Sequence, residues 1–249
     1  MYAAARSLAN EPVMLSQLVV LAIEGLSAEC TCNALSARQF PGEDLDRIAA
    51  LATSGDIRDS YYRAVVGEAA FGLFDNSPTN PLSNPLSMFD RHAYVDAIEA
   101  VLDTADLPLR DAITAVRALD IYPDMTGPRP VAGQSTYYAR LHPFSSILIP
   151  PMLRTFGAAA RGEIYRELVH LITAIESYRL EHNAPPENLD QLVPDYLETL
   201  PQDPYSNVTY QYLPTNPGYA VYSLGPNRQD DQAEKLTNTT GDINLRITR

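Results

Sequence analysis

Asn227, Asp230, Asp231 and Asp242 bring four oxygen-bearing side chains into one short C-terminal stretch. Oxygens of this kind suit a hard cation, which takes about 6–8 of them from carboxylates, amide carbonyls and the main chain. Carboxylates gathered without a cation would repel one another. The alternative is a solvated acidic turn holding no ion, and Lys235 places a competing cation close by.

No other arrangement of residues points to chemistry with comparable force. The four histidines fall in separate segments: His92 near Asp90 and Asp96, His142 before Pro143, His170 on a polar helical stripe, and His182 near a helix end. A cation suits the last position because of the helix dipole. The Glu181-His182 pair does not make the H-E-x-x-H zinc helix, and the sequence has neither a G-x-S-x-G elbow nor a P-loop. The expectation is a chain without a catalytic centre of its own. Cys30 and Cys32, two apart on a helix, do not face each other and read as unbridged thiols.

Composition narrows the partners. A net charge of −13 over 249 residues, with no basic run, argues against nucleic acid, where phosphate contacts need clustered Lys and Arg. The most apolar run, Pro12 to Ile23, is interrupted by Ser16 and Gln17 and falls short of the ~20 apolar residues of a membrane span. Met1 to Arg6 lacks the order of a signal peptide.

Helices must carry most of the chain. Asn10-Glu11-Pro12 is a start signal for a helix through Leu15, Leu18, Val19, Ala22, Ile23 and Leu26, a face expected to be core. Pro41 to Asp44 opens a second helix through Leu45 and Leu51. Asp56 caps a third, with Tyr61, Val65, Val66 and Ala69 inward. A Pro-rich loop over 72–87, helices over 88–103 and 107–119, and a second Pro/Gly-rich crossing over 122–133 follow. A long helix is expected from near Pro151 to about His182, with an apolar stripe of Ile164, Leu168, Leu171, Ile172, Ile175 and Tyr178. Arg166, His170, Thr173 and Ser177 form its polar stripe. A short helix over 189–196 leads to strands over 208–212, 219–223 and 243–247, each alternating with period two. Tyr205, Tyr210, Tyr212, Tyr219 and Tyr222 concentrate here. They read as cross-strand stabilisers, with a tyrosine-lined contact surface for a protein or glycan as the alternative.

Read in order, Tyr178 to His182, Pro185-Pro186-Glu187-Asn188-Leu189, Leu200-Pro201-Gln202-Asp203-Pro204, Tyr210-Gln211-Tyr212 and Tyr222-Ser223-Leu224-Gly225 resemble the head domain of the major pseudopilin of type II secretion. The resemblance covers roughly Pro151 to Ile247. It implies a long helix on a small antiparallel sheet and a calcium loop near the C-terminus, with the Leu224 carbonyl joining Asn227, Asp230, Asp231 and Asp242. The stretch Gln232-Ala233-Glu234 departs from the family loop, which is richer in glycine. The segments Asn10-Glu11-Pro12 and Gly67-Glu68-Ala69 resemble, more loosely, uncharacterised bacterial envelope proteins carrying such a head.

Together these readings give an α+β protein with a helical region at 1–145, and a long helix plus pseudopilin-like head at 146–249. The expected role is non-enzymatic, extracytoplasmic and structural, among protein partners of a secretion or envelope assembly. The resemblance also implies a membrane anchor preceding the chain, or some other attachment. The rival is an extracytoplasmic hydrolase or carbohydrate-processing enzyme with an acidic cleft between the two regions.

Overall fold

The computed structural model describes residues 1–74, 88–119, 145–206, 208–234 and 241–248. The Pro-rich loop expected over 72–87 starts later, because the helix before it continues to Phe74; its remainder, the crossing over 122–133, His142 and Lys235 lie outside the described residues. In chain order the elements are α1 (Tyr2–Leu8), α2 (Met14–Ala37), α3 (Gly42–Thr53), α4 (Ile57–Phe74), α5 (Met88–Leu102), α6 (Leu109–Ala118), α7 (Ser145–His182), a 3-10 turn (Leu189–Leu192), and strands β1 (Gln211–Pro214), β2 (Tyr219–Ser223) and β3 (Ile243–Ile247). The chain is α+β, with a long central helix and a small C-terminal sheet. It divides into two compact units, neither consecutive in sequence: the boundaries fall inside α1, after Ala5, inside α2, after Leu21, between α3 and α4, after Gly55, and inside α7, after Ala160.

One unit, Arg6–Leu21 with Asp56–Ala160, is helical among the described residues. Its core centres on buried Tyr61, whose hydroxyl donates to the Met152 carbonyl at 3.1 Å and whose ring meets Phe156 edge-on at 5.6 Å. Asp56 Oδ1 accepts the Asp59 N–H at 2.9 Å and caps α4 as expected. The first N–H of α2, at Met14, is satisfied from a distance by Glu68 Oε1 at 3.0 Å. Gly67 allows this docking, since a Cβ there would sit 1.9 Å from the Pro12 carbonyl oxygen. The start of α7 differs from expectation for a similar reason. Asp90 on α5 accepts the Ser145 N–H at 3.0 Å, so the helix begins six residues before Pro151 and carries Pro150 and Pro151 inside it.

The other unit, Met1–Ala5, Ala22–Gly55 and Arg161–Arg249, holds the sheet. β2 lies between β1 and β3 in an antiparallel meander, with Tyr219 opposite Pro214 and Ile247. The β1–β2 turn needs Gly218, at φ +94°, because a Cβ would fall 1.8 Å from the Ile247 oxygen. Within this unit α7 serves both sides. Arg166 donates to the carbonyls of Ser54 and Gly55, the latter at 2.9 Å, and lies 3.7 Å from buried Glu24 of α2. The α3 C-terminus thereby gains a cation. On the sheet side, the Tyr219 hydroxyl donates to Glu176 at 2.9 Å and that of Tyr210 donates to Glu167. Hence α7 is buried all round from Leu171 to Glu176, and Thr173 is core rather than part of a polar stripe.

Two faces differ from the sequence reading. All five residues of β2 are buried, where alternation predicts one wet face. In α2 the expected core stripe is turned outward: Leu15 is 70%, Leu18 44%, Val19 42% and Leu26 53% exposed, while Gln17, Glu24 and Ser27 are buried. By length and composition α2 reaches what a membrane crossing requires, contrary to the reading that Ser16 and Gln17 cut the run short, and only a third of that stretch is buried.

Candidate metal centre

The loop joining β2 to β3 begins under a clamp. Buried Asp203 accepts the N–H groups of Tyr205 and Leu224, each at 3.0 Å, and the hydroxyls of Ser223 at 2.7 Å and Ser206 at 3.1 Å. Asp203 therefore does more than cap its own turn, since it fixes where β2 ends. Gly225 follows at φ +66°, and a Cβ there would come 2.8 Å from the Gly241 oxygen, so the two ends of the loop meet where neither carries a side chain.

Between those ends the backbone takes left-handed conformations at Arg228, Gln232 and Ala233. These non-glycine positions wind the glycine-poor stretch into a compact coil. Ala233 then packs on Ala220 and Tyr222 with Leu213 and Leu224. Alternate strand residues face opposite ways. Tyr219 reaches α7 and Tyr222 faces the loop, which is why β2 has no wet face.

Each expected ligand has a definite place. The Asn227 amide donates to Asp231 Oδ2 at 2.8 Å, and the same oxygen accepts the Gly241 N–H at 3.0 Å. Asp230 Oδ1 accepts the Tyr222 hydroxyl at 3.0 Å and the Gln232 N–H at 2.9 Å. Asp242 is fully buried; its Oδ2 accepts the Ala233 N–H at 2.8 Å, and its Oδ1 is buried with no hydrogen-bond partner. Leu224 packs against the sheet's outer cluster, with its N–H on Asp203. Thus Asn227, Asp231, Gly241 and Asp242 come together, while Asp230 is turned to Tyr222. Among the described residues no three His, Cys, Asp or Glu side chains converge as a ligand group.

Electrostatics single out Asp242. Burial raises its carboxyl above the ordinary 3.8; main-chain N–H groups of Ala233 and Asp231 oppose this, and the Asp231 and Asp230 charges add to it. Burial likewise pushes the Tyr222 phenol up, helped by Asp230. A cation against Asp242 Oδ1 would give that oxygen a partner and reverse the repulsion. The donor chemistry, an orphaned buried carboxylate oxygen beside a second carboxylate and an amide, fits an oxygen-liganded cation.

The sequence does not mark Ala233 or the long reach of Asp203 as loop-forming. Their sequence signal was limited to the Leu200-Pro201-Gln202-Asp203-Pro204 turn and the strand alternation. Elsewhere, burial raises Glu167 and Glu176, and the phenols of Tyr210 and Tyr219 partly offset this, with Arg179 also acting on Glu176. His92, His170 and His182 are exposed on their helices. Cys30 is exposed and Cys32 buried, and neither is bridged. No family model matches the chain, and no curated protein or solved structure matches it either.

Proposed function

We propose that the chain is a non-enzymatic structural component of an extracytoplasmic assembly, its sheet unit a pseudopilin-like head locked by one calcium ion in the β2–β3 loop. The observation that carries this reading is Asp242 Oδ1, buried and unpartnered beside Asp231. Calcium held by Asp242, Asp231, Asn227 and main-chain carbonyls such as that of Leu224 would close the loop over β2 and fix the register of β3. Few charged ligands mean modest affinity, the regime of extracellular calcium modules at about 10⁻⁴–10⁻³ M. That range suits a protein working outside the cytoplasm.

The same reading explains how two acids of α7 are used. Half-buried Glu167 and buried Glu176 hold tyrosine hydroxyls of the sheet unit, which is a structural employment. An acidic hydrolase would instead present a carboxylate pair to substrate. Isothermal titration with calcium tests the proposal. One site is expected in the wild type, lost in Asp242→Asn, with magnesium a poor substitute because it demands compact octahedral geometry. Absence of calcium heat and of calcium-dependent stabilisation would reject the metal. Turnover in a broad hydrolase screen, abolished in Glu167→Gln or Glu176→Gln, would reject the non-enzymatic reading.

A further inference from the structure

One face of β3 carries a row of polar side chains of which only the first is a candidate ligand. Asp242, Asn244 and Arg246 stand two apart and so share a face of the strand. Across the ladder Asn244 is paired with Tyr222 and Arg246 with Ala220, the two β2 residues on which Ala233 packs. All three side chains of the row bond to Ala233. Asp242 Oδ2 accepts its N–H at 2.8 Å, while the Asn244 amide, at 2.9 Å, and the Arg246 guanidinium both donate to its carbonyl. The Asn244 amide also reaches the Asp242 carbonyl at 3.5 Å, and the Asp242 N–H donates to the Glu234 carbonyl at 2.7 Å.

Ala233 needs that much holding. It is fully buried and left-handed, at φ +61°, directly after Gln232 at φ +56°. A residue with a Cβ stays in that region only where its surroundings over-determine it. Its buried carbonyl also needs a donor. Two donors on the carbonyl and one acceptor for the N–H meet both demands. The orientation of Ala233 then decides which oxygen of Asp242 an ion can use. With the N–H on Oδ2, the buried and unpartnered oxygen is Oδ1.

We propose that Asn244 and Arg246 are positioning residues for the calcium site, acting through Ala233; the inference rests on the calcium reading above. Held at its carbonyl, Ala233 keeps its left-handed conformation and its N–H stays on Asp242. Without the two donors it is free to turn toward the right-handed region, and Asp242 is no longer aimed at the ion. Neither Asn244 nor Arg246 touches the ion. The sign of the Arg246 effect separates positioning from plain electrostatics. A guanidinium repels a divalent cation, so removing its charge alone would tighten calcium binding. Removing a positioning donor weakens it.

The test is calcium titration of the full chain, followed by the amide resonances of Ala233 and Asp242 well below the unfolding midpoint of each variant. Asn244→Ala and Arg246→Ala should each raise the calcium Kd by about 10-fold or more, the range for groups that orient a metal ligand. Arg246→Lys keeps a donor for the Ala233 carbonyl and should restore most of the affinity. Arg246 is exposed, so its two variants decide the matter even where Asn244→Ala, at a half-buried position, fails to fold. Wild-type Kd in both alanine variants, whatever their loss of stability, shows a structural role only and overturns the proposal while the calcium site stands. Tighter binding in Arg246→Ala does the same. A wild type whose resonances calcium leaves unmoved overturns the calcium reading and the proposal with it.

Discussion

Replacing Asp203 with alanine should unlatch the β2–β3 loop while leaving its acidic residues in place. The carboxylate is buried and accepts four hydrogen bonds, two from main-chain N–H groups and two from serine hydroxyls. The hydroxyls of Ser206 and Ser223 can reorient, but the N–H groups of Tyr205, which is buried, and Leu224, which is half-buried, cannot. An orphaned buried donor costs about 1–3 kcal/mol, and bonds to a charged acceptor lie at the upper end. The expected destabilisation is therefore about 3–5 kcal/mol, short of a simple sum because the bonds act as one network. Ser206→Ala, removing one bond of the four, should cost about 1 kcal/mol or less. Urea unfolding followed by tyrosine near-UV circular dichroism gives the energies, and amide exchange locates them: protection at Leu224 should fall before protection at Val221 in the centre of β2. A loss under about 1 kcal/mol, or a Leu224 amide as protected as in the wild type, would refute the clamp.

Ile172→Ala, at a fully buried position of α7, should destabilise by about 2–5 kcal/mol in the same assay. Asp242 gives a pH dependence whose sign follows from its raised carboxyl. A group raised in the folded state contributes stability that is fully present below its ordinary value of 3.8 and lost as pH rises through the folded value. In chelator, Asp242→Asn should therefore gain on the wild type as pH rises from about 4 toward neutrality. Calcium binds the ionised form, so its stabilising effect on the wild type should grow over the same window.

What could be read from sequence was what short-range periodicity encodes. Tyr219–Ser223 and Ile243–Ile247 emerged at their observed bounds because alternation and turn residues bracket them. The body of α7 emerged because Ile164, Leu168, Leu171, Ile172 and Ile175 hold one helical stripe. What was hidden was set by partners distant in sequence. Asp90 moves the start of α7 to Ser145, and Glu68 sets the start of α2. β2 loses its expected wet face because Ala233 folds back onto Tyr222, which no periodicity announces. The orientation of α2 is opposite to the one its apolar stripe predicts, for a more general reason. Apolar residues mark the buried face only where the buried polar ones lack partners, and Arg166 and the carbonyl of Glu11 supply those partners to Glu24 and Gln17. At the candidate metal centre the donor types were legible, but the burial of Asp242 and the turning of Asp230 toward Tyr222 depend on how the loop closes.

The thermal unfolding midpoint with calcium, and again with chelator, tests the central claim most directly, using the wild type and Asp242→Asn. Binding only to the folded form adds about 2.7 kcal/mol at a hundredfold excess of calcium over Kd. The wild-type midpoint should rise clearly with calcium and fall back with chelator, while Asp242→Asn should show no calcium response and, near neutral pH, a midpoint in chelator at or above that of the wild type. A wild-type midpoint unmoved by calcium would contradict the account and leave the Asp230-Asp231 stretch as a solvated turn closed by its own hydrogen bonds.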